Sequence, residues 1–286
     1  MRACLKNRSR RGEEADQGAI LARNPPLPPC GIGGYATRSG TARERLLSVA
    51  GEPLFIADWE RVLMLHYEVE PEALQRVVPF ELDLRAGRAF ISAVAFTMRG
   101  MRPRVGGRFA AWLLEPIATH EFLNVRTYVR HRGESGIYFL AEWLPNRLSV
   151  ALGPRLFGLP YRSGRFHYQH HWEEGLLAGS VTDTEGRGTL AYRGEAGRKT
   201  RFAACEPGGL EEWLMERYTA FTYSAGKARF FRVWHSPWPQ VRVNAEITER
   251  RLLDQSWLLF REARMIGANF SPGVHNVWMG RAHRVR

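Results

Sequence analysis

Short segments rich in aromatic and β-branched residues recur through the chain, and they constrain the fold more than any other feature. Clusters of Gly, Pro or Asn bound most of them, which is the pattern of strands separated by turns. Many strands with few helices predict an α+β protein, mainly of antiparallel β-sheet that is closed or strongly curved. The predicted strands are Ala89–Met98, Asn124–His131, Ile137–Trp143, Arg165–Trp172, Thr189–Arg193, Ala228–His235 and Gln240–Arg251.

The predicted helices are few and short. Pro71 begins one that Pro79 ends, because proline suits the first turn of a helix and interrupts its interior. Ser149–Phe157 is a second, and Leu210–Tyr218 is a third because its apolar residues follow helical spacing.

The first 50 residues differ from the rest in composition. They hold nine Lys/Arg and four Asp/Glu, and a Pro- and Gly-rich stretch spans residues 24–34. A segment with no hydrophobic period buries little apolar surface, so residues 1–50 are predicted to form a mobile basic extension, with a short helix at Ala42–Val49. Residues 51–286 are predicted to form one domain.

Charge and cysteine content limit the class of protein. The net charge is +12, and only three of the 41 basic residues are lysines, namely Lys6, Lys199 and Lys227. Three widely spaced cysteines without a C-x-x-C pair disfavour a zinc ribbon or a disulfide framework. The longest mainly apolar runs, Ala89–Phe96 and Phe109–Leu114, have strand length, well short of the roughly 20 residues of a membrane helix. We therefore expect a cytoplasmic protein that has no membrane partner.

Familiar cofactor and nucleophile motifs are missing. The sequence has no G-x-G-x-x-G or Walker-type phosphate loop and no G-x-S-x-G elbow, so no nucleotide cofactor and no α/β-hydrolase is expected. His167, His170 and His171 resemble a metal cluster, but on a strand only His167 and His171 share a face. Two histidines without a further ligand favour polar positions on a wet face over a metal site.

Residues 120–129 are more informative. On a strand, Asn124, Arg126 and Tyr128 lie on one face, so these three polar side chains line a single surface. Glu121 lies on the opposite face unless a bulge at the strand end re-aims it. An outward ion pair of little energetic value is the alternative reading.

Two Pro-containing turns add further candidates. In residues 158–164, a buried Tyr161 needs a hydrogen-bond partner, and the adjoining Arg162 favours an anion. His235 begins the second turn, which otherwise reads as a simple connection between strands.

Taken together, several stretches resemble the YqjF-like family of uncharacterised bacterial proteins, within the acetoacetate decarboxylase-like superfamily. The resemblance covers roughly residues 55–280. It is carried by Trp59, His66-Tyr67, Pro71–Pro79, Ala89–Phe96, Glu121–Val129, Gly136–Phe139, Leu159–Tyr161, Glu216–Tyr218, His235–Trp238 and Ser271–His275.

The resemblance implies a cone-like or double β-barrel with short helices around a central cavity. It also implies a comparison with the decarboxylases, which form a Schiff base through a lysine in a motif similar to Gly-x-Pro-Lys-Lys. Here that place reads Gly158-Leu-Pro-Tyr161-Arg162, and neither Tyr161 nor Arg162 can form an imine. Glu121 falls where the decarboxylases keep a cavity glutamate, so we expect Glu121, Arg126, Tyr161 and Arg162 to converge on one cavity.

Three functions remain open from the sequence. The first is binding of a small anionic carbonyl or carboxylate compound, without a cofactor or Schiff-base chemistry, by Asn124, Arg126, Tyr128, Arg162 and His235. The second is a lysine-independent lyase, isomerase or hydrolase acting on a small oxo-acid, with Glu121 as general acid or base and Tyr161 as hydrogen-bond donor. The third, nucleic-acid binding through the basic surface, lacks a recognised motif and is disfavoured. Assembly into a homo-oligomer is left open.

Overall fold

The computed structural model describes residues 38–197 and 201–285. The strands are β1 Phe55–Val69, β2 Glu81–Leu82, β3 Ala89–Pro103, β4 His120–His131, β5 Glu134–Leu144, β6 Tyr161–His171, β7 Leu176–Asp183, β8 Thr189–Glu195, β9 Thr219–Ser224, β10 Lys227–Trp234, β11 Val241–Glu249, β12 Arg264–Met279 and β13 His283–Arg284. The helices are α1 Arg38–Leu47, α2 Pro71–Gln75, α3 Gly107–Ala118, α4 Arg147–Leu156, α5 Leu210–Met215 and α6 Arg251–Ser256, with 3-10 turns at Trp172–Glu174 and Leu258–Arg261.

The strands form two closed rings that share five members. The order β12-β1-β3-β4-β5 is common to both. Pairing through β6, β7, β8 and β11 closes the larger ring, and pairing through β9 and β10 closes the smaller ring. Apart from the parallel pairs of β5 with β6 and with β9, the pairings are antiparallel. The predicted α+β double barrel of mainly antiparallel sheet is therefore confirmed.

Two long strands divide their edges between the rings. One edge of β5 pairs with β9 near Ile137 and with β6 near Trp143. Likewise, one edge of β12 pairs with β11 near Phe270 and with β10 near Trp278. Along one edge, each of these strands therefore pairs first with a strand of one ring and then with a strand of the other. The sheet divides at these points, and the two rings enclose separate interiors.

The shared strands are buried on both faces, which explains their unusual apolar content. In β1, Leu63 and Leu65 point into the core of the larger ring, while Val62 and Met64 point into the smaller ring. A strand covered on both sides has no wet face, so it reads as a continuous apolar run instead of an alternating one. This accounts for the run Ala89–Met98 in β3, which is buried at every position.

Most predicted elements are present with shifted ends, and some were missed. The sequence patterns did not indicate β1, β7, β9 or β12 as strands. Phe109–Leu114 lies within the 12-residue helix α3, where Ala and Leu favour the helix and Leu114 faces the interior. Asn146 begins α4 by accepting a hydrogen bond from the Ser149 amide at 3.0 Å.

The predicted helix Ala42–Val49 corresponds to α1, which begins earlier, at Arg38, and ends at Leu47. It contacts the smaller ring through Ser39, whose hydroxyl donates to the His235 carbonyl at 2.8 Å, and Leu46 is fully buried. Most of the predicted extension 1–50 lies outside the described residues, as do Cys4, Cys30, Lys6 and Lys199, so the division after residue 50 stays a prediction.

Candidate functional site

The smaller ring contains a cavity of about 240 Å³, which we call the inner cavity. Helices α3 and α4 lie across one end through Leu114, Ile117 and Leu152. Its walls are largely apolar. The apolar lining includes Phe55, Trp59, Val62, Met64, Val94, Phe96, Met98, Phe122, Ile137, Phe139, Phe231 and Val233. An apolar cavity of about 150 Å³ already holds benzene, so this one is large enough for a small organic molecule.

Three polar side chains form a row across adjacent strands in this cavity. Strand register pairs Asn124 of β4 with Glu142 of β5, and Glu142 with Tyr161 of β6. Neighbouring strands lie roughly 4.8 Å apart, so side chains on one row are in contact range. Asn124 Oδ1 and Glu142 Oε2 are buried and have no hydrogen-bond partner among the described residues. These atoms are available to a bound molecule.

Glu142 reaches the cavity because β5 contains a bulge. Arg126 pairs with Phe139 while Val125 pairs with Ala141, which leaves Leu140 as an extra residue. Before the bulge, Ile137 and Phe139 face the smaller ring, and after it Glu142 does so. Simple alternation would turn Glu142 the other way, so sequence reasoning missed this residue.

Burial controls the protonation of Glu142. Desolvation raises its pKa to about 8, and the positive charge of Arg126 opposes that shift. The carboxyl group is therefore mostly protonated at neutral pH and can donate as well as accept a hydrogen bond.

Arg126 is a buried cation without a carboxylate partner. Its Nη2 lies 3.4 Å from the Leu214 carbonyl oxygen and 3.8 Å from Met64 Sδ, both weak contacts. Its Nε has no hydrogen-bond partner, and it forms no ion pair with a described carboxylate. Burial lowers the pKa of Arg126, but a guanidinium remains charged at neutral pH. Tyr128, Glu142 and Glu216 lie close enough to favour the charged form of Arg126, but none of them forms an ion pair with it. A buried charge is costly unless an anion pairs with it.

Tyr161 is positioned by a glycine in α4. A side chain at Gly153 would overlap the ring of Tyr161, so the small residue leaves the space that the ring occupies. Burial, and secondarily the nearby Glu142, raise the pKa of the Tyr161 hydroxyl well above its ordinary value. Tyr161 therefore stays protonated and available as a hydrogen-bond donor.

Two histidines in the lining are neutral, and Ser149, Arg217 and Thr219 are the remaining polar residues of the lining. Desolvation lowers the pKa of His120 and of His235 to about 4. Neither ring nitrogen of His120 has a partner among the described residues, whereas His235 Nδ1 lies 2.8 Å from the Ser236 carbonyl. His120 was not singled out from the sequence, because nothing in its local pattern reveals that its ring faces a cavity.

The structure brings together four of the predicted site residues in the inner cavity lining: Asn124, Arg126, Tyr161 and His235. Their predicted roles in binding or catalysis stay predictions. Tyr128 is buried beside this group but is not in the lining, and its hydroxyl forms a hydrogen bond of 2.5 Å with Ser92 Oγ.

Glu121 and Arg162 lie away from the inner cavity, contrary to the expected convergence. Glu121 follows the face of Leu123, which belongs to the core of the larger ring, because no bulge re-aims it. Arg162 lies next to Tyr161 on β6, so the alternation of the strand turns it outward from the cavity. Its guanidinium carbon stacks 5.2 Å from the Trp143 ring centre and 5.7 Å from that of Trp257.

The three adjacent histidines divide as strand alternation predicts. His167 and His171 are exposed, and His170 is buried with Nδ1 2.7 Å from the Arg61 carbonyl and Nε2 2.8 Å from the Tyr192 hydroxyl. Across residues 38–197 and 201–285, no group of three or more His, Cys, Asp or Glu side chains could hold a metal ion. None of the described helices is long and apolar enough to span a membrane.

Two fused barrels around a mainly apolar cavity define a protein of the acetoacetate decarboxylase-like fold. Solved structures with this architecture include acetoacetate decarboxylase from Legionella pneumophila, with a TM-score of 0.58 and 12% identity over 83% of this chain and 90% of that one. The enduracididine biosynthesis enzyme MppR, complexed with pyruvate, has a TM-score of 0.55 and 12% identity over 82% of this chain and 90% of its own.

The sequence comparisons identify the family. The profile of the DUF2071 family, described as an uncharacterized conserved protein, matches residues 56–275. The chain belongs to this family. It is 28% identical over 208 residues to the uncharacterized protein YqjF of Bacillus subtilis (strain 168), covering 72% of this chain and 82% of YqjF.

Proposed function

We propose that this protein binds a small organic carboxylate in the inner cavity, with the carboxylate on Arg126. The observation that carries the proposal is the buried guanidinium of Arg126, which has no carboxylate partner among the described residues. A carboxylate matches the planar fork of a guanidinium with two parallel hydrogen bonds, and it neutralises the buried charge. Binding therefore removes an electrostatic cost that the empty cavity carries.

The remaining walls favour a ligand with an apolar body and one further oxygen. Aromatic and aliphatic side chains make up most of the lining, so they suit a hydrocarbon portion. Asn124, the protonated Glu142 and Tyr161 form a row of hydrogen-bonding groups beside Arg126. Such a row suits a carbonyl or hydroxyl oxygen, as in a 2-oxo acid. MppR, which shares the fold, is described in complex with pyruvate, a molecule of this class.

Schiff-base chemistry is not part of the proposal. The described residues contain a single lysine, Lys227, which is exposed at the start of β10 and is not in the lining of the inner cavity. Tyr161, the cavity residue at the position that corresponds to the decarboxylase lysine, cannot form an imine.

A second candidate function is proton transfer on the same ligand. Its supporting observation is the pKa of Glu142, which is raised to about 8 so that both protonation forms are populated near neutral pH. The Glu142 carboxylate would take a proton from the carbon next to the carbonyl of an oxo-acid, while Tyr161 donates a hydrogen bond to the enolate oxygen. Return of the proton to carbon completes an isomerisation or exchange. In this proposal Glu142 takes the role that the sequence suggested for Glu121.

Calorimetric titration with pyruvate, 2-oxohexanoate, phenylpyruvate and benzoate tests carboxylate binding. We expect saturable binding that weakens by roughly 30-fold or more in Arg126→Met, since truncating one partner of a buried charge pair costs about 2 kcal/mol or more. Arg165→Gln is the matched control, because it removes an exposed arginine from β6 without touching the cavity. Equal affinity in Arg126→Met and the wild type would contradict the proposal.

Proton NMR of a bound oxo-acid in D₂O separates binding from catalysis. The protons to follow are those on the carbon next to the ketone carbonyl. Their exchange, if accelerated by the wild type and slowed by Glu142→Gln, supports proton transfer. Binding without accelerated exchange supports a binding protein alone.

A further inference from the structure

A second cavity of about 470 Å³, here called the outer pocket, lies beside the inner cavity. Arg217 and Thr219 line both of them. Unlike the inner cavity, the outer pocket is polar and is lined by five arginines: Arg38, Arg45, Arg130, Arg217 and Arg232. It is built around the stretch Glu216–Tyr218, to which the inner-cavity proposal assigns no role.

The carboxylates that line the outer pocket are already engaged by neighbouring donors. Asp83 accepts from Arg130 Nη2 at 2.7 Å through one oxygen and from Arg217 Nη1 at 2.8 Å through the other. With both oxygens occupied, Asp83 balances one of these two cations and leaves the other in excess.

The other two lining carboxylates are engaged in the same way. Glu216 accepts from the Trp238 amide at 2.9 Å and from the Tyr218 hydroxyl. Glu134 accepts from Thr219 Oγ1 at 2.6 Å, and its second oxygen lies 3.7 Å from Arg232. The lining of the pocket therefore has five cations against three carboxylates, and one of the five, Arg38, lies 3.6 Å from Glu212, which is not in the lining. One arginine remains in excess when Glu212 is counted.

Unused donors remain on the arginines. Arg217 is 6% exposed, its Nε donates to the Trp213 carbonyl at 2.7 Å, and its Nη2 is buried without a partner among the described residues. Its guanidinium carbon lies over the ring of Trp213, 4.2 Å from the ring centre. Arg232 Nε is buried and unpartnered in the same sense. Buried donors without acceptors are costly, and an anionic oxygen satisfies them.

We propose that the outer pocket is an anion-binding site for a phosphate or carboxylate group, held by Arg217 and Arg232 with Arg45 at its rim. Because Arg217 lines both cavities, this site lies next to the inner cavity. A ligand with a carboxylate on Arg126 and a second anionic group in the outer pocket would then span both. That last step rests on the proposed function, whereas anion binding in the outer pocket does not.

Calorimetric titration with inorganic phosphate tests the outer pocket directly. We expect saturable binding that weakens at least 10-fold in Arg232→Gln and in Arg45→Gln, the latter an exposed residue of α1 whose loss leaves the core intact. Arg165→Gln is the control for removal of one positive charge. Arg126→Met, which disables the inner cavity, retains phosphate binding. Loss of phosphate binding in Arg126→Met with none in Arg232→Gln would place the anion in the inner cavity and overturn the proposal.

A comparison of hexanoate with adipate distinguishes a carboxylate from a phosphate as the natural group. If the outer pocket holds a second carboxylate, adipate binds at least 10-fold more tightly than hexanoate, and Arg232→Gln abolishes that advantage while hexanoate affinity is unchanged. If phosphate binds and adipate shows no advantage, the group is a phosphate. If neither phosphate binding nor an adipate advantage depends on Arg232, the outer pocket is not an anion site, and hexanoate binding still reports on the inner cavity.

Discussion

Replacing Arg126 with methionine is expected to make the ligand-free protein more stable while it weakens ligand binding. Arg126 is buried, its Nε has no hydrogen-bond partner in the described part of the chain, and its Nη2 makes contacts of 3.4 Å and 3.8 Å there. Methionine keeps similar length without a charge. Replacing a buried ion pair with apolar residues is neutral or stabilises a protein by about 1–4 kcal/mol, and the weak bond to Leu214 that is lost is worth about 1 kcal/mol. Taking that range for the buried charge of Arg126, the expected net gain in the free energy of unfolding is up to about 3 kcal/mol.

Differential scanning calorimetry or urea unfolding of protein freed of bound acids measures this change. A gain of that size raises the Tm by up to roughly 10 °C for a domain of this length. Arg217→Met is the matched control, because Arg217 is as deeply buried but pairs with Asp83 at 2.8 Å. Its replacement removes the hydrogen bond to one Asp83 oxygen, while Arg130 still pairs with the other, and should cost about 1.5–3 kcal/mol. If Arg126→Met destabilises the protein as much as Arg217→Met, Arg126 is a structural residue and the carboxylate proposal loses its basis.

Other outcomes follow from the geometry of the cavity. Glu142 has a folded-state pKa of about 8, above its value in the unfolded chain, so wild-type stability falls as pH rises from about 4.5 through 8. Urea unfolding of Glu142→Gln should show that this fall is reduced, with the variant more stable than the wild type by on the order of 1–4 kcal/mol at pH 9; parallel pH profiles would contradict the assignment. Gly153→Ala should displace the Tyr161 ring and weaken binding of an oxo-acid about as much as Tyr161→Phe does. Benzoate has no carbonyl next to its carboxylate, so Tyr161→Phe should weaken benzoate binding less. Cys205 is buried, and desolvation raises its pKa to about 12, so it should react with iodoacetamide only after unfolding, as mass spectrometry would show; rapid labelling of the native protein would refute this.

The sequence was sufficient for the class of fold and for one side of the site. Aromatic and β-branched segments indicated most of the strands, and the polar face Asn124–Arg126 was read correctly because β4 is regular through the cavity. The resemblance predicted that Tyr161 lines a cavity, and in the structure Tyr161 is in the lining of the inner cavity. These features depend on local alternation or on residue identity, and both are visible in a sequence.

Other features depend on pairing between distant segments. Strands β1 and β12 were missed because charged residues in β1 and Gly and Pro residues in β12 interrupt the pattern by which a strand is recognised. Their long antiparallel pairing with each other holds both extended. Phe109–Leu114 is helical because α3 lies across the barrel end, with Leu114 towards the cavity. The same six residues in isolation have the length and apolarity of a strand.

Tertiary structure alone decided which glutamate supplies a carboxyl group to the inner cavity. Glu121 has the more suggestive sequence context, but strand alternation carries it to the larger ring. Glu142 reaches the inner cavity because one extra residue, Leu140, bulges from β5 against β4 and reverses the alternation beyond it. The residue pattern therefore determined a curved, mainly antiparallel sheet with a polar strand that contains Arg126, and the family resemblance implied the double barrel. Only the register between β4 and β5 decided which glutamate lies beside that arginine, because a shift of one residue exchanges the two faces of a strand.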